Sequence, residues 1–536
     1  MSFKKVNIPN KDTGLYSKAL IAYLEENPIL KPFYSYSPSV KGFAEAIKNV
    51  GSYNYDRKLL STTLKEYYTK NAPVNISDAT LKNIEKLEDG NCFTVTTGHQ
   101  LCLFTGPLYF IYKIITAINL AEKLNKEYPA NHFVPVYWMA TEDHDFAEIN
   151  HAYVFGKKVE WSIDSHNAPV GSLSLNSLAS TMEALYAIMG EGENVQELKR
   201  LVSDAYGGET TLGQATFAFV NYLVGKYGLV IIEPDNADLK NIFSPIITDE
   251  LVNNNSFKLV TNTNKRLADA GIEAQVNPRE INLFYIDENG RNRIEKKGDK
   301  FEIVNSAVTF SRGEIIELIK KLPEKFSPNV LMRPVYQQCI LPNVAYIGGP
   351  SELVYWLELK DGFEYYKIPF PVLMPRNSAL IISAPISQKI DKLGFELKDI
   401  FSDAESLIKQ FITQSSDGLP DFEKVVGELK NIYASLGNKV QETDPTLVAT
   451  TEAELQKQLN ALKTLETKLV RVKKQKEETS VTKIRKIKEY LFPNGALQDR
   501  SDNFIPFYIQ HGAAFFDLLK ENFDPFEFSV TVLREE

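Results

Sequence analysis

Two stretches of the sequence share one design: a short apolar strand, a glycine-containing loop, a Gly-Pro pair and a helix. They are TTGHQLCLFTGPLYF, starting at Thr96, and AYIGGPSELVYW, starting at Ala345. Glycine lets the backbone approach a ligand closely, and a helix N-terminus offers unpaired N–H groups to an anion. Taken singly, each stretch could equally be a structural turn. Two of them in one α/β domain favour a nucleotide-binding crevice, because ligands of open parallel sheets bind beyond the strand ends.

Strand-like and helix-like segments alternate along much of the chain, which predicts an α/β fold with a parallel sheet. The strand candidates are NCFTVTTG, HFVPVYWMA, LVIIEP and FPVLMPRNSALIIS. After the first of them, apolar residues recur at helical spacing from Leu108 to Ala121, with Thr105 as the expected cap and Pro107 in the first turn. Residues 281–304 carry two glycine turns between short strands and predict an inserted β-meander.

Near the C-terminus, leucines recur at gaps of three and four residues. Leu455, Leu459, Leu462, Leu465 and Leu469 form this seam, and an earlier helical stretch precedes the break at ETDPT. Two long helices with a turn between them predict an antiparallel coiled-coil arm. One short antiparallel partner would leave the seam partly exposed, so we expect a homodimer through the arm.

At 536 residues the chain is expected to contain several domains. We expect a helical segment packed on the core (1–90), an α/β core (91–384) with insertions at about 151–225 and 240–330, a coiled-coil arm (385–490), and a C-terminal segment docked on the core (491–536).

Composition narrows the classes of function. The net charge of −9 and the pI of about 5.5 argue against a large nucleic-acid surface. No apolar run reaches the length of a membrane span. Three cysteines without zinc-ligand spacing, and a start without a signal peptide, suit a reduced cytoplasm. We therefore expect a cytoplasmic protein that binds neither nucleic acid nor membrane.

The densest group of titratable side chains is TEDHDFAEINH, directly after an apolar strand. Its members are Glu142, Asp143, His144, Asp145, Glu148 and His151. A carboxylate there could hold an ammonium, and a histidine could transfer protons near neutral pH. Glu148 and His151, if helical, would share a face and could bind a metal. The remaining alternative is a solvated acidic loop with a helix cap.

Arg376 and Ser378 follow another apolar strand in LMPRNSALIIS. An arginine at that position could bind phosphate oxygens with both arms of its guanidinium. Alternatively, it pairs with an acidic neighbour. The residues alone do not separate these two interpretations.

Five long segments together resemble the BshC family of bacillithiol biosynthesis. They are TTGHQLCLFTGPLYFIYK, VPVYWMATEDHDFAEINH, LMRPVYQQCILPNVAYIGGPSELVYW, VLMPRNSALI and LFPNGALQDRSDNFIPF, which occur in order over nearly the whole chain. One position differs: His99 stands where the family usually has glutamine. The resemblance implies a ligase that joins the carboxyl group of cysteine to the amine of glucosaminyl-malate. It also implies a Rossmann-like core similar to class I aminoacyl-tRNA synthetases and a dimerising coiled coil.

The resemblance further implies a nucleotide, ATP or ADP, in the Rossmann-like core. The residues expected to bind it are Thr105, Gly106, Gly348, Gly349, Ser351, Arg376 and Asn503. In such a ligase, Asp143 and Asp145 would hold an ammonium and His144 would be the base, with His151 as its competitor. Carboxylates beside His144 are expected to raise its pKa. No metal ligand is assigned.

Two other functions remain open at this stage. One is a metal-dependent hydrolase centred on Asp143, His144, Asp145 and His151. The other is a scaffold whose arm carries the function and whose core only senses nucleotide. The energy source and its by-product are not determined by the residues.

Overall fold

The computed structural model describes residues 2–71, 76–414 and 420–536. Its strands are β1 (Phe3–Pro9), β2 (Cys92–His99), β3 (His132–Met139), β4 (His151–Val154), β5 (Lys157–Glu160), β6 (Val230–Ile232), β7 (Leu283–Asp287), β8 (Gly290–Lys297), β9 (Lys300–Ile303), β10 (Thr309–Ser311), β11 (Phe326–Pro328), β12 (Asn343–Gly348), β13 (Val372–Pro375), β14 (Ser378–Ile382) and β15 (Ser529–Glu535).

The helices of the same residues lie before, between and after these strands. They are α1 (Lys18–Leu24), α2 (Val40–Ser52), α3 (Arg57–Asn71), α4 (Asp78–Lys86), α5 (Tyr109–Glu127), α6 (Phe146–Ile149), α7 (Ala179–Met189), α8 (Glu193–Tyr206), α9 (Leu212–Val224), α10 (Ala237–Asn253), α11 (Asn255–Asp269), α12 (Arg312–Lys321), α13 (Arg333–Ile340), α14 (Pro350–Trp356), α15 (Lys360–Tyr366), α16 (Ala384–Lys392), α17 (Ala404–Gln414), α18 (Phe422–Thr443), α19 (Val448–Lys476), α20 (Glu478–Leu491), α21 (Ile505–His511) and α22 (Ala514–Asn522). None of them is long and apolar enough to cross a bilayer.

The centre of the fold is a five-stranded parallel sheet in the order β13-β12-β2-β3-β6. The strands are buried on both faces because helices cover both sides, as expected for a parallel sheet. The chain builds outward from β2 through β3 to β6, and then returns to add β12 and β13 on the other side of β2. The predicted α/β fold is therefore confirmed, and the order reverses between β2 and β12.

The chain carries two insertions between strands of this sheet. The first contains the β4–β5 hairpin and helices α7 to α9. The second is an antiparallel sheet in the order β10-β9-β8-β7-β11, and its β7–β8 and β8–β9 hairpins are the meander that the glycine turns predict. This meander lies after α10 and α11 in the chain and places its β8 arginines near the central sheet.

Local expectations fail at several points. The first ninety residues also contain β1, which pairs with β15 at the other end of the chain. Helix α5 starts at Tyr109, and Thr105 does not cap it; the Thr105 hydroxyl is buried without a hydrogen-bond partner. Helix α6 ends at Ile149, and His151 starts β4, so the predicted Glu148–His151 helix face does not exist.

The C-terminal segment is tied to the core by buried polar contacts. Arg376, after β13, donates to Asp499 at 2.7 Å, and both side chains are almost fully buried. Next to this pair, Gln498 bonds both backbone polar groups of Ile381. The acidic neighbour that the sequence left open for Arg376 is therefore Asp499, which holds the guanidinium on the C-terminal segment.

Helices α18 and α19 pack against each other and contain no buried residue. By contrast, α20 buries Val481, Ile484, Ile487 and Leu491 in a second core with α16, α17 and β14. The projecting arm is therefore α18 and α19, and α20 belongs to its base. The coiled-coil arm that the leucine spacing predicts is confirmed.

One carboxyl group is buried at the end of β6. Glu233 accepts hydrogen bonds from the Thr141 hydroxyl and the Asp235 backbone, and burial raises the pKa of its side chain to about 8. The folded protein therefore keeps a proton on Glu233 at pH values where an unfolded chain releases it.

Replacing Asp499 with asparagine is expected to lower the apparent free energy of unfolding by about 3–5 kcal/mol, because Arg376 would remain as a buried charge without a partner. Urea unfolding measures the change. As a matched control, Glu317→Gln breaks the exposed pair with Lys320 and should leave the free energy of unfolding nearly unchanged. Equal losses in the two variants would contradict a role for the buried pair.

The Glu233 carboxyl group is expected to make stability fall as pH rises from about 4.5, its ordinary pKa, to about 8. In that window the folded state binds one proton more than the unfolded state, so raising the pH favours unfolding. Glu233→Gln keeps a hydrogen-bond acceptor for Thr141 but cannot titrate. Urea unfolding at pH 5 and pH 8.5 should show the wild type losing stability relative to this variant; parallel profiles would refute the assignment.

Candidate active site at the reversal point of the parallel sheet

A cavity of about 670 Å³ opens beyond the carboxyl ends of the central strands. Gly98 and His99 at the end of β2, Ala140 after β3 and Gly349 after β12 line it. This is the point where the strand order reverses, so the loops after β2 and β12 run apart and leave a crevice. The position of the cavity therefore follows from the strand order of the sheet.

A buried ion pair frames one wall of the cavity. Lys113 on α5 contacts Glu352 on α14 at 2.5 Å and donates to the carbonyl oxygen of Gly98 at 3.0 Å. Tyr346 donates to the other carboxylate oxygen of Glu352 at 2.7 Å. Burial would raise the pKa of Glu352, but Lys113 outweighs it and the pKa is lowered. Burial lowers the pKa of Lys113, although Glu352 raises it. The ion pair places the two opposite charges side by side, so they offset each other in the cavity wall.

Arg291 on β8 brings a cation to the opposite wall. Its guanidinium donates to the Ser327 hydroxyl and the Pro328 carbonyl, each at 2.9 Å, and lies 3.8 Å from the centre of the Phe284 ring. Burial lowers the pKa of Arg291 to about 10, so it stays protonated at neutral pH. The meander insertion thus supplies a rigid positive charge to the cavity.

Arg333 is the first residue of α13 and also lines the cavity. Burial would lower its pKa, but Tyr355, which bonds its side chain, and the nearby Asp143 carboxylate outweigh that effect. Asp143 accepts from Gln100 at 3.1 Å and from the His144 backbone at 2.8 Å. Burial would raise the pKa of Asp143, yet Arg333 and Arg291 keep it lowered, so Asp143 is an ionised carboxylate between cations.

Positive charge dominates this cavity although the whole chain is acidic. Its lining contains seven cationic side chains (Lys113, Arg279, Arg291, Arg293, Arg333, Arg376 and Arg500) and three carboxylates (Glu142, Asp143 and Glu352). Glu142 pairs with the buried Lys240, as Glu352 does with Lys113. Within the described ranges, no carboxylate lies within 4 Å of the guanidinium of Arg291 or Arg333. Arginines without a carboxylate at ion-pair distance make a site for an anionic ligand.

His144 does not have the environment that the sequence predicts. Arg291 donates to its Nδ1 at 2.9 Å, and because arginine has no acceptor, the neutral ring must carry its proton on Nε2. Burial and the Arg291 guanidinium lower the pKa of His144, although Asp143 and Asp145 raise it. The predicted rise in pKa is wrong, because the arginine arrives from a distant part of the chain. His144 does not line the cavity.

The other members of the cluster separate. Asp145 is exposed and caps α6 by accepting from the Glu148 backbone. His151 bonds Asn150 and lines a neighbouring, smaller cavity. Of the four predicted catalytic residues, only Asp143 lines the large cavity. Among the described residues, no three histidine, cysteine, aspartate or glutamate side chains converge as metal ligands do.

Three of the residues predicted to bind nucleotide line the cavity, namely Gly349, Ser351 and Arg376. A side chain at position 349 would be crowded, since a Cβ there would lie 3.0 Å from a carboxylate oxygen of Glu352. Arg376 covers the ring of Tyr109 at 5.2 Å while it pairs with Asp499. Its charge is therefore already neutralised.

The remaining residues predicted to bind nucleotide have structural contacts, most of them in the loop after β2. Asn503 donates to the carbonyls of Phe104 and Gly106 at 2.8 and 2.6 Å, which uses both of its amide hydrogens. Gly106 has φ +61°, and a Cβ there would lie 2.5 Å from that of Cys102. Gly348 accepts from the Arg376 backbone, and neither Thr105 nor Gly106 lines the cavity. Glycine at 106 is needed for the turn.

Sequence reasoning missed the residues that charge the cavity. Arg291 and Arg293 lie two residues apart in β8, a spacing that places both on one face of a strand. Lys113 is a lysine within an otherwise apolar helix face, which was an available signal. Arg333 precedes a proline at a helix start and carried no such signal.

Comparison with known proteins agrees with this architecture. The family model described as Bacillithiol biosynthesis BshC, N-terminal Rossmann-like domain, matches residues 1–377, and the BshC C-terminal coiled-coil domain matches residues 379–535. Relatives named "Putative cysteine ligase BshC" include those of Flavobacterium psychrophilum (41% identical, 98% of this chain and 99% of theirs) and Cytophaga hutchinsonii (34%, 99% and 98%). The full length and both domains match, and the chain therefore belongs to the BshC family.

Proposed function

We propose that this protein is a carbon–nitrogen ligase of bacillithiol biosynthesis that joins the carboxyl group of cysteine to the amine of glucosaminyl-malate. The relatives' name supports cysteine as one substrate. We place the reaction in the cytoplasm, where the three buried cysteines stay as free thiols. The observation that carries the proposal is the group of unpaired arginines in the cavity.

The malate part of the second substrate carries two carboxylates. Arg291 and Arg333 have no carboxylate partner of their own in the described chain, and Arg293 from the same strand as Arg291 lies beside them. Guanidinium groups bind carboxylates with two parallel hydrogen bonds, which fixes both position and orientation. A dianionic ligand would offset their charge without changing the protein.

An amine does not attack a carboxylate at a useful rate, so the carboxyl oxygen must first become part of a leaving group. ATP would supply that group, and the cavity fits it, because Gly349 and Ser351 line the wall beside free cations. Among the chain's own residues, Trp138 and Tyr355 would exclude water from the reaction. The choice between AMP and ADP as by-product is left to experiment.

The ionised Asp143 is suited to orient the attacking amine. Its carboxylate lines the cavity and is fixed by Gln100 and by the His144 backbone. A carboxylate so placed accepts a hydrogen from the amine and aims the nitrogen lone pair at the acyl carbon. The nitrogen–carbon bond then forms as the bond from that carbon to the activated oxygen breaks. The phosphate-bearing group leaves with that oxygen, and the proton lost by the amine passes to solvent water.

The arm supports the further proposal of a homodimer. Apolar side chains on both arm helices stay exposed, with Ile432 at 62%, Leu436 at 46%, Leu465 at 49% and Val472 at 49%. Leu462 and Leu469 are less exposed and belong to the seam between α18 and α19. A second copy of the arm could cover the exposed residues, because the same apolar surface is present on each copy.

The proposed reaction is tested directly by incubating the pure protein with cysteine, glucosaminyl-malate and ATP. Mass spectrometry should detect the amide product together with AMP or ADP. Omitting any one of the three should abolish the product. A protein that binds the substrates yet forms no amide under these conditions would disprove the proposal.

Arg333→Gln is expected to lower kcat/KM for the malate-bearing substrate by about 100-fold, because a charged hydrogen-bond donor to a carboxylate or phosphate is lost. Arg200→Gln is the control, since Arg200 is exposed and pairs only with Asp204 on its own helix. The thermal unfolding temperature is measured for both variants, and it should be unchanged in the control. Equal kinetics in the two would mean that Arg333 binds no substrate.

Placing glutamate at Ile432 and Leu465 should weaken the dimer, since the partner arm would bury charges without partners. Light scattering at micromolar concentration should show monomer for this double variant and dimer for the wild type. Gln456→Glu, at an exposed polar position of α19, serves as the control and should leave the mass unchanged. A monomeric wild type would contradict the dimer outright.

A further inference from the structure

A second cavity of about 490 Å³ lies beside the first, beyond the loop after β2. Cys102, Pro107, Ala152 and Tyr153 line its less polar side, and Glu148 and His151 line its polar side. Neither the relatives' names nor the family descriptions assign it a ligand.

Three residues line both cavities: Gln100, Tyr109 and Arg500. The amide nitrogen of Gln100 donates to Asp143 in the large cavity at 3.1 Å and to Glu148 in the side cavity at 2.8 Å. The two cavities therefore share one polar wall.

The charges of the side cavity differ from those of the large one. Glu148 is an exposed carboxylate that accepts from Gln100, and Arg500 is the one guanidinium of the lining. Neither forms an ion pair with any described residue. The carboxylates Glu142 and Glu352 of the large cavity are instead neutralised by buried lysines. A carboxylate and a guanidinium that both lack an ion-pair partner could bind the ammonium and the carboxylate of a zwitterion.

Other polar groups of the side cavity add no net charge. Burial and Lys158 lower the pKa of His151, which is neutral near pH 7. Burial raises the pKa of Cys102 to about 12, so its thiol stays protonated and does not compete as a nucleophile. The balance of charge in this cavity is set by Glu148 and Arg500.

The backbone under Arg500 is rigid although its side chain is exposed. The preceding residues are buried anchors: Asp499 pairs with Arg376, and Gln498 bonds the backbone of Ile381. Because the backbone is fixed, binding an anion has to order only the Arg500 side chain. The C-terminal segment thus places Arg500 at the shared wall.

Building on the proposed function, we propose that the side cavity binds the amino-acid substrate as its zwitterion. Glu148 accepts hydrogen bonds from the α-ammonium group, and Arg500 holds the α-carboxylate at the shared wall. The carboxyl carbon then faces the large cavity, where the anionic second substrate binds. The less polar side, with Cys102, Pro107 and Ala152, takes a small side chain such as that of cysteine.

Calorimetry on the full chain tests the two contacts separately with truncated probes. Cysteine carries both charged groups, 3-mercaptopropionate lacks the ammonium, and cysteamine lacks the carboxylate. The wild type should bind cysteine about tenfold to a hundredfold more tightly than either probe, since each probe loses one charged contact. Glu148→Gln should remove the preference over 3-mercaptopropionate, and Arg500→Gln the preference over cysteamine.

Malate, as a probe of the large cavity, separates the two sites. Glu148→Gln should bind malate as the wild type does, and Arg333→Gln should lose malate while keeping cysteine. The proposal is overturned if the wild type binds no cysteine, if both side-cavity variants keep wild-type affinity, or if Arg333→Gln alone loses cysteine. Amide formation is measured in a separate experiment. Selective cysteine binding without any amide product would refute the proposed reaction but not the side-cavity assignment. Unchanged ligation by both side-cavity variants would refute the side-cavity assignment but not the proposed reaction.

Discussion

The site depends on the buried ion pair between Lys113 and Glu352. It joins the helix that follows β2 to the helix that follows β12, across the point where the strand order reverses. A buried charge without a partner is costly, so each group fixes the other, and Gly98 and Tyr346 complete their hydrogen bonds. The two loops are thereby held apart with a cavity between them. Because the pair is neutral, the arginines of the neighbouring insertion determine the charge of the cavity.

An acidic protein with a basic cavity is selective in a simple physical way. The outer surface repels anions at long range, whereas the arginines bind only an anion that enters the crevice and loses its water there. The cations come from parts of the chain far apart in sequence: α5, β8, α13 and the C-terminal segment. Folding therefore assembles the charge that no single segment carries.

Periodicity predicted the elements better than it predicted the site. The alternation of strand-like and helix-like segments predicted the parallel sheet, the glycine turns predicted the meander, and the spacing of leucines predicted the arm. The similarity to class I aminoacyl-tRNA synthetases stays a prediction. The cluster after β3 looked catalytic, yet only Asp143 of its predicted catalytic residues reaches the large cavity. The expected rise in the pKa of His144 failed for a physical reason: burial lowers this pKa, and Arg291, which lies far along the chain and meets His144 only in the fold, lowers it further.

The sequence by itself determined the class of fold, the arm and the two glycine loops, since these depend on local spacing and on residues with special backbone freedom. The five long and unusual segments also identified the family. The tertiary structure decided which side chains share a cavity, which charges are neutralised and which remain free. Arg376 and Arg333 look alike in sequence, but Asp499 neutralises the first, while the second has no carboxylate partner within the described chain. Electrostatic roles depend on distances in space, and only the folded chain sets those distances.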